Sequence, residues 1–205
     1  MYLNILSHKQ VHLLDFIKKF KKHFYLAGGT AVALQLGHRK SIDFDLFSNS
    51  ILNKKKIRSE IKQLNEPVQP LYFDDDQQHY LVGEVKCTFL YYPYAIKHEL
   101  LLKNVISMPD LLDLAAMKAF ALGRRSKWKD YVDMYFILKD HYSLARIAEK
   151  AKEYFPDQLT EKLLRNQLAF HDDIDFQEQV DYVIGNPPSD QAIKDFLIEV
   201  ATRSF

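Results

Sequence analysis

The chain has few of the features that mark secreted, membrane-spanning or zinc-binding proteins. Its 205 residues include one cysteine, Cys87, so no internal disulfide can form. No apolar run approaches the roughly 20 residues that a bilayer-spanning helix needs, and the N-terminus lacks the layout of a cleavable signal. The eight histidines are scattered and form no Cys/His zinc pattern. These absences predict a protein of the reducing cytoplasm that does not contact a membrane.

Two aspartates separated by one residue are the first candidates for a chemical site. If residues 41–47 form a strand, its polar and apolar side chains alternate between the two faces. The polar face then carries Ser41, Asp43 and Asp45, and the apolar face carries Ile42, Phe44 and Leu46. Two carboxylates this close repel each other unless a cation or a proton intervenes, and hard oxygen ligands suit Mg²⁺ or Mn²⁺. The pattern therefore predicts a divalent metal site at Asp43 and Asp45.

Two glycines, Gly28 and Gly29, precede this pair between a predicted short strand and a predicted helix. Glycine lets the backbone approach a ligand closely. The free N–H groups of a helix start can hold nucleotide phosphates, and the Thr30 hydroxyl is a further donor. Arg39 lies between the two elements and can neutralise phosphate charge. A Gly-Gly turn and an Asp-x-Asp pair are each usually structural alone, so the prediction depends on their combination with Arg39 and Ser41.

A second group of candidates lies on two predicted helices of the C-terminal half. Residues 107–110 have the form of a helix start, and the apolar stripe that follows ends at Lys118. This lysine can extend to solvent, or it can reach into a cleft toward a phosphate. The next helix carries Lys129, Asp130 and Asp133 among aromatic residues. These charges form either a surface salt-bridge network or the wall of a cleft.

In combination, these segments resemble a known superfamily. GGT at 28–30, R-x-S-x-D-x-D-L-F at 39–47, Lys118 and the basic-x-Lys-Asp-x-x-Asp segment at 127–133 look like the motifs of the DNA polymerase β-like nucleotidyltransferases. Within that superfamily the chain most resembles the AbiEii/AbiGii toxin-like nucleotidyltransferases, the toxins of bacterial toxin–antitoxin and phage abortive-infection loci. The resemblance covers about residues 24–138.

The resemblance implies a role for each matched residue. Mg²⁺ or Mn²⁺ would be held on a nucleoside triphosphate (NTP) by Asp43 and Asp45. The residues expected to be catalytic are Asp43, Asp45, Lys118 and Asp130. The residues expected to bind the nucleotide are Gly28, Gly29, Thr30, Arg39, Ser41, Lys129 and Asp133. The two helix aspartates would orient the lysines or accept the proton of the acceptor.

One position departs from the superfamily pattern. Many polymerase β-like enzymes carry a third carboxylate on a following strand, where it helps to deprotonate the attacking hydroxyl and to bind a second metal. We align that position with Thr88, on a predicted strand at 83–92. Glu84 replaces the missing acid only if the register of the strand is shifted. Members of the toxin-like type often resemble this chain in lacking the third acid.

The predicted fold class is α+β. A small mixed-sheet polymerase β-like lobe is expected over residues 1–106, with helices at 8–22, 30–37 and 53–64, followed by a helical lobe over 107–205. The helical lobe is expected to begin with a helix capped by the Ser107 hydroxyl. Its later helices are predicted at 144–154, 157–170 and 190–202. A hydrophobic content of 47% is enough to bury such a core.

The leading functional hypothesis is transfer of a nucleotide from an NTP to an acceptor. The net charge is only +1, but a basic run at 124–129 flanks the predicted site and can bind an RNA backbone. An RNA acceptor is therefore expected, with a tRNA 3′ end as one candidate, and the resemblance implies a cognate antitoxin protein. The alternatives are a small hydroxylated acceptor in a deep polar cleft, or a nucleotide-binding module that has lost catalysis.

Overall fold

A computed structural model describes residues 1–203. The strands of this part are β1 (Tyr25–Ala27), β2 (Phe44–Ser48), β3 (Val68–Phe73), β4 (Gln77–Val82), β5 (Val85–Tyr91), β6 (Leu100–Leu102) and β7 (Ile106–Met108). A 3-10 turn (Leu3–Ile5) precedes the α-helices, which are α1 (His8–His12), α2 (Leu14–Lys18), α3 (Gly28–Leu36), α4 (Lys54–Lys62), α5 (Leu111–Leu122), α6 (Trp128–Asp140), α7 (Leu144–Tyr154), α8 (Glu161–Ala169) and α9 (Asp190–Thr202).

The main sheet is mixed and has the strand order β1-β2-β5-β4-β3. Strands β2 and β5 are parallel, and the other neighbours are antiparallel. The face that carries Phe44 and Phe89 is buried in the core, whereas Asp45 and Thr88 lie side by side on the opposite face. A mixed sheet followed by helices confirms the predicted α+β class.

Strand β2 begins at Phe44, three residues later than the sequence pattern predicted. The segment before it pairs instead with residues 181–183: Lys40 donates its N–H to the Asp181 carbonyl (2.8 Å), and Val183 donates to the His38 carbonyl (3.0 Å). Because this segment lies outside the sheet, the alternation of faces does not extend to Ile42. Its side chain is 57% exposed, so the prediction that it faces the core was wrong.

Three helix boundaries also differ from the sequence prediction. Helix α3 begins at Gly28, so the two glycines form its first turn rather than a turn before it. The predicted N-terminal helix divides into α1 and α2 and ends at Lys18. Ser107 lies in β7 and does not cap α5; Asp110 does, accepting a hydrogen bond from the N–H three residues further on (2.8 Å).

The hydrophobic core is continuous through both predicted lobes, from Ile5 to Ala201. The predicted boundary between residues 106 and 107 falls within β7, which pairs with β6, and the division into domains stays a prediction. Helix α3 packs against both α5 and α6. This packing brings the start of β2 opposite the charged residues of the two later helices. No helix in the described range is long and apolar enough to cross a bilayer.

Candidate active site

The paired aspartates lie against the N-terminus of α3. A Cβ atom added to Gly28 would overlap the carboxylate oxygen Oδ2 of Asp45 and lie 2.9 Å from its Cγ, so the helix start directly contacts this carboxylate. Gly28 has φ +67°, a left-handed conformation that glycine adopts without strain. No side chain caps α3, because the residue before it is Ala27. Its first backbone N–H groups therefore point outward without a capping partner.

The environment of the pair favours binding of a cation. Burial, and then the charge of Asp45, raises the pKa of Asp43, and this effect is partly offset by Lys86 and Lys129. Mutual repulsion of this kind is relieved when a divalent cation binds between the carboxylates. Within residues 1–203, no group of three or more His, Cys, Asp or Glu side chains is arranged around a common point. The protein would thus supply two carboxylates, and other ligands would complete the metal shell.

The Thr30 side chain joins α3 to the segment that precedes β2. Its hydroxyl is fully buried, lies 2.9 Å from the Ser41 Oγ and donates to the backbone carbonyl of Asp43. These contacts set the backbone position of Asp43. The hydroxyls of Thr30 and Ser41, both predicted to bind the nucleotide, therefore contact each other, and that of Thr30 also contacts the segment before β2.

The charged residues of α5 and α6 form a buried ionic cluster with the segment before β2. Lys118 Nζ donates to Asp130 and, at 2.6 Å, to the Asp133 Oδ2. Arg39 binds Asp133 with two parallel bonds, from Nε (2.7 Å) and Nη2 (2.9 Å), and His38 Nε2 donates to the same carboxylate (2.7 Å). The five side chains are at most 5% exposed.

The positive charges in this cluster lower the pKa values of its two aspartates by more than burial raises them. Burial favours the protonated forms of Asp130 and Asp133, yet their cationic neighbours, led by Lys118 for Asp130 and Arg39 for Asp133, lower both pKa values. The pairing therefore stabilises the fold above the unfolded aspartate pKa of about 3.9 and is lost as pH falls through the folded values. Arg39 and Asp133, both predicted nucleotide ligands, are used here to hold Lys118 in place.

A cavity of about 240 Å³ opens beside Gly28 and Lys118. Its wall is mainly apolar and aromatic and includes two arginines. The other lining residues are Val32, Phe47, Leu90, Tyr92, Leu114, Met117, Phe120, Ala121, Arg124 and Arg125. Such a wall fits a flat apolar group and offers few hydrogen bonds, so it differs from the deep polar cleft expected for a small hydroxylated acceptor.

The sequence prediction missed His38 of the buried cluster and two further residues near the site. Arg125 donates from Nε to the Asp130 Oδ2 (2.8 Å), lines the cavity and keeps half of its side chain exposed. Glu178 accepts hydrogen bonds from Lys127 and Lys129, the first of which does most to lower its pKa to about 2. The only available sequence signal was the basic run that includes Arg125. Nothing in the spacing of the motifs pointed to Glu178.

Comparison with known families identifies the protein class. The family model described as "Nucleotidyl transferase AbiEii toxin, Type IV TA system" matches residues 13–80 and 88–202. The chain belongs to this family. It is therefore a nucleotidyltransferase toxin of a type IV toxin–antitoxin system, and the predicted resemblance is confirmed.

Individual proteins and solved structures are also similar to this AbiEii-family chain. The uncharacterized protein aq_aa25 of Aquifex aeolicus (strain VF5) is 31% identical over 159 residues, which are 73% of this chain and 74% of the relative. MenT4, a nucleotidyltransferase toxin of Mycobacterium tuberculosis H37Rv, has a TM-score of 0.63 at 15% identity, with coverage of 95% of this chain and 80% of that one. JHP933 of Helicobacter pylori has a TM-score of 0.54 at 16% identity, covering 96% and 91%. At these identities the two structural likenesses show the fold.

The position aligned with the third carboxylate of the superfamily is Thr88 in this AbiEii-family protein. Its Cα pairs with that of Asp45 across β2 and β5, which is the place expected for the missing acid. Glu84 lies at the turn between β4 and β5 and forms an ion pair with Lys9, so the register is not shifted toward it. The predicted metal site would therefore have two carboxylates where many polymerase β-like enzymes have three.

We expect Gly28→Ala to disrupt the aspartate pair. The added methyl group overlaps the Asp45 carboxylate, and the positive φ strains alanine by about 1 kcal/mol. Transfer activity should fall at least about tenfold because Asp45 must move from its position. A matched control is Gly185→Ala, where the new Cβ meets no atom within 4 Å. Equal loss of activity in both variants would contradict a special role for Gly28.

Proposed function

We propose that this toxin transfers a nucleoside monophosphate from an NTP to an RNA acceptor, in a reaction that requires Mg²⁺ or Mn²⁺. The observation that supports this most strongly is the approach of an uncapped helix N-terminus to a pair of repelling carboxylates. A tRNA 3′ end is one candidate acceptor. We place the activity in the cytoplasm, where NTPs and RNA are found, under the control of a cognate antitoxin.

The carboxylates of Asp43 and Asp45 are the groups that would hold the metal. They are hard oxygen ligands, and Mg²⁺ usually takes one or two carboxylates together with phosphate oxygens and water. When bound, the cation would neutralise charge on the triphosphate and make the α-phosphorus more electrophilic. The protein's own part is to hold the Asp43 backbone in place, through the hydrogen bond that Thr30 donates to its carbonyl.

The triphosphate would bind at the start of α3. The free N–H groups of Gly28 and Gly29 and the positive end of the helix dipole attract anionic oxygens. Lys118 is adjacent, in the cavity wall, and its two carboxylate partners hold the ammonium group in one position. A preorganised cation of this kind stabilises the charge that develops on the leaving pyrophosphate. Arg125, half-exposed at the same cavity, adds a second positive charge.

The base of the nucleotide fits the apolar cavity. Phe47 and Tyr92 offer aromatic contacts, whereas the Phe120 ring is stacked on Phe155 and covered by the Arg124 guanidinium, 3.4 Å from its centroid. Aromatic contacts are available to every base, so we expect modest selectivity among the four NTPs. The exposed parts of Arg125 and Lys127 favour a polyanionic acceptor over a small neutral one.

The test is incubation of the purified protein with each labelled NTP, total RNA and Mg²⁺ or Mn²⁺, followed by gel analysis. We expect label in discrete RNA bands, and we expect complete loss of label when a chelator removes the metal. If the label from the NTP is transferred to an aminoglycoside-like or other hydroxylated small molecule and not to RNA, the small-acceptor alternative is correct. If calorimetry detects NTP–Mg²⁺ binding but no acceptor is labelled, the protein is a non-catalytic nucleotide-binding module.

A further inference from the structure

The sheet face that carries Asp45 continues beyond Thr88 to a histidine. Thr88 pairs with Asp45 on one side and with His79 of β4 on the other. Residues paired across neighbouring strands project to the same face of a sheet, so the three side chains form a lateral row. Two inter-strand spacings put His79 roughly 10 Å from Asp45, with the short Thr88 side chain between them.

The imidazole of His79 is oriented by a chain of polar groups. Its Nε2 lies 2.8 Å from the Gln77 Oε1, and the Gln77 Nε2 donates to the Asp74 Oδ2 (3.0 Å). A carboxylate only accepts hydrogen bonds, so the amide nitrogen of Gln77 must face Asp74 and its carbonyl oxygen must face His79. The histidine therefore carries its proton on Nε2 and presents the lone pair of Nδ1.

Asp74, the last residue in this series of hydrogen bonds, is itself fixed by further hydrogen bonds. Asp74 accepts hydrogen bonds from the backbone N–H groups of Asp76 (2.8 Å) and Gln77 (2.7 Å), and from the Tyr72 hydroxyl (3.0 Å). No contact with the His79 Nδ1 is present among the described hydrogen bonds. General-base catalysis requires an imidazole that is oriented through one ring nitrogen and has its other ring nitrogen available to accept a proton.

We propose that His79 is the general base that replaces the missing third carboxylate, and that it accepts the proton of the acceptor hydroxyl above Thr88. The inference rests on the proposed nucleotidyl transfer. In this step the hydroxyl proton passes to Nδ1 of His79 while the acceptor oxygen bonds to the α-phosphorus. The bond from that phosphorus to the pyrophosphate oxygen breaks, and pyrophosphate leaves with the electron pair. The resulting imidazolium then releases its proton to water.

The charges around His79 keep it neutral near neutral pH. Burial, followed by the positive charge of Lys86 on β5, lowers its pKa, and Asp45 on β2 and Asp74 in the turn only partly oppose this. From β3 the facing group is Tyr72, whose ring contacts the imidazole at a centroid distance of 5.5 Å. A histidine with a lowered pKa is unprotonated at neutral pH and ready to accept a proton.

The test compares His79→Gln with the unaltered protein in the RNA-labelling assay. We expect transfer to slow by about a hundredfold or more, the usual contribution of a general base. The acidic inflection of the rate–pH profile should disappear with the imidazole, while calorimetric NTP–Mg²⁺ affinity stays within about twofold because the binding groups are intact. The control is His141→Gln, an exposed histidine at the opposite end of α6 from Asp130, which should leave rate and profile unchanged.

The outcomes separate this inference from the proposed function. If the unaltered protein labels no RNA, both fail together. If it labels RNA and His79→Gln does so at the same rate with the same pH profile, only the role of His79 is overturned. Nitrogen-15 NMR of the histidine rings gives a readout that needs no acceptor. We expect the Nε2–H tautomer for His79, and an Nδ1–H tautomer would overturn the proposal.

Discussion

Replacement of Asp43 by asparagine is expected to reduce RNA labelling on the order of a thousandfold or more without unfolding the protein. The amide keeps the size of the side chain but removes a negative charge that the proposed metal site requires. Burial and the neighbouring Asp45 already raise the pKa of Asp43, so its ionised form is unfavourable in the folded state. Loss of that charge should therefore leave the melting temperature unchanged or slightly higher.

The experiment needs three readouts. RNA labelling measures transfer, calorimetry measures NTP–Mg²⁺ affinity, and thermal unfolding checks the fold. The matched control is Asp15→Asn, which removes an exposed carboxylate from α2 and should change none of the three. An Asp43→Asn variant that transfers normally would refute the proposed mechanism. Calorimetric affinity that does not fall in the variant would contradict a metal site at the aspartate pair.

Replacement of Asp133 by asparagine is expected to cost about 3–5 kcal/mol of the free energy of unfolding. This carboxylate is fully buried and accepts hydrogen bonds from His38, Arg39 and Lys118. Asparagine has one carbonyl oxygen and no charge, so Arg39 loses its bidentate partner within the core. An unpaired buried guanidinium is far more costly than the loss of an exposed ion pair.

Urea unfolding at neutral pH measures this loss directly. The control is Asp140→Asn, an exposed aspartate at the last turn of the same helix, for which we expect a change within about 0.5 kcal/mol. Neighbouring cations hold the pKa of Asp133 well below the ordinary value against the effect of burial. The difference in unfolding free energy between the variant and the parent should therefore narrow as pH falls below about 3.9, because the unfolded parent then takes up a proton at Asp133 that the folded parent still excludes. A constant difference down to the lowest pH would contradict the pairing.

Much of the candidate site could be predicted from local sequence. Gly28, Asp45 and the later Lys118 lie close together, and each was selected from its residue type within a short sequence motif. The prediction was wrong where a distant segment competes for the backbone. Residues 181–183 pair with the segment before β2, so Ile42 lies outside the strand.

The roles of several charged residues could not be predicted in this way. Arg39 and Asp133 are 94 positions apart in the chain, and only the packing of α3 against α6 shows that they neutralise each other. Glu178 comes from the connector between α8 and α9 and approaches the site through its ion pairs with Lys127 and Lys129. His79 shares a row with Asp45 only because β5 separates their strands in the sheet.

The sequence alone determined the family and the α+β class, and it selected the residues expected to carry the chemistry, because these depend on residue type and short spacings. The tertiary structure decided which of those residues are accessible to a ligand and which form ion pairs within the buried cluster. Electrostatic interactions and desolvation depend on distance in space, and residues such as Arg39 and Lys118 acquire their surroundings only when α3, α5 and α6 pack together.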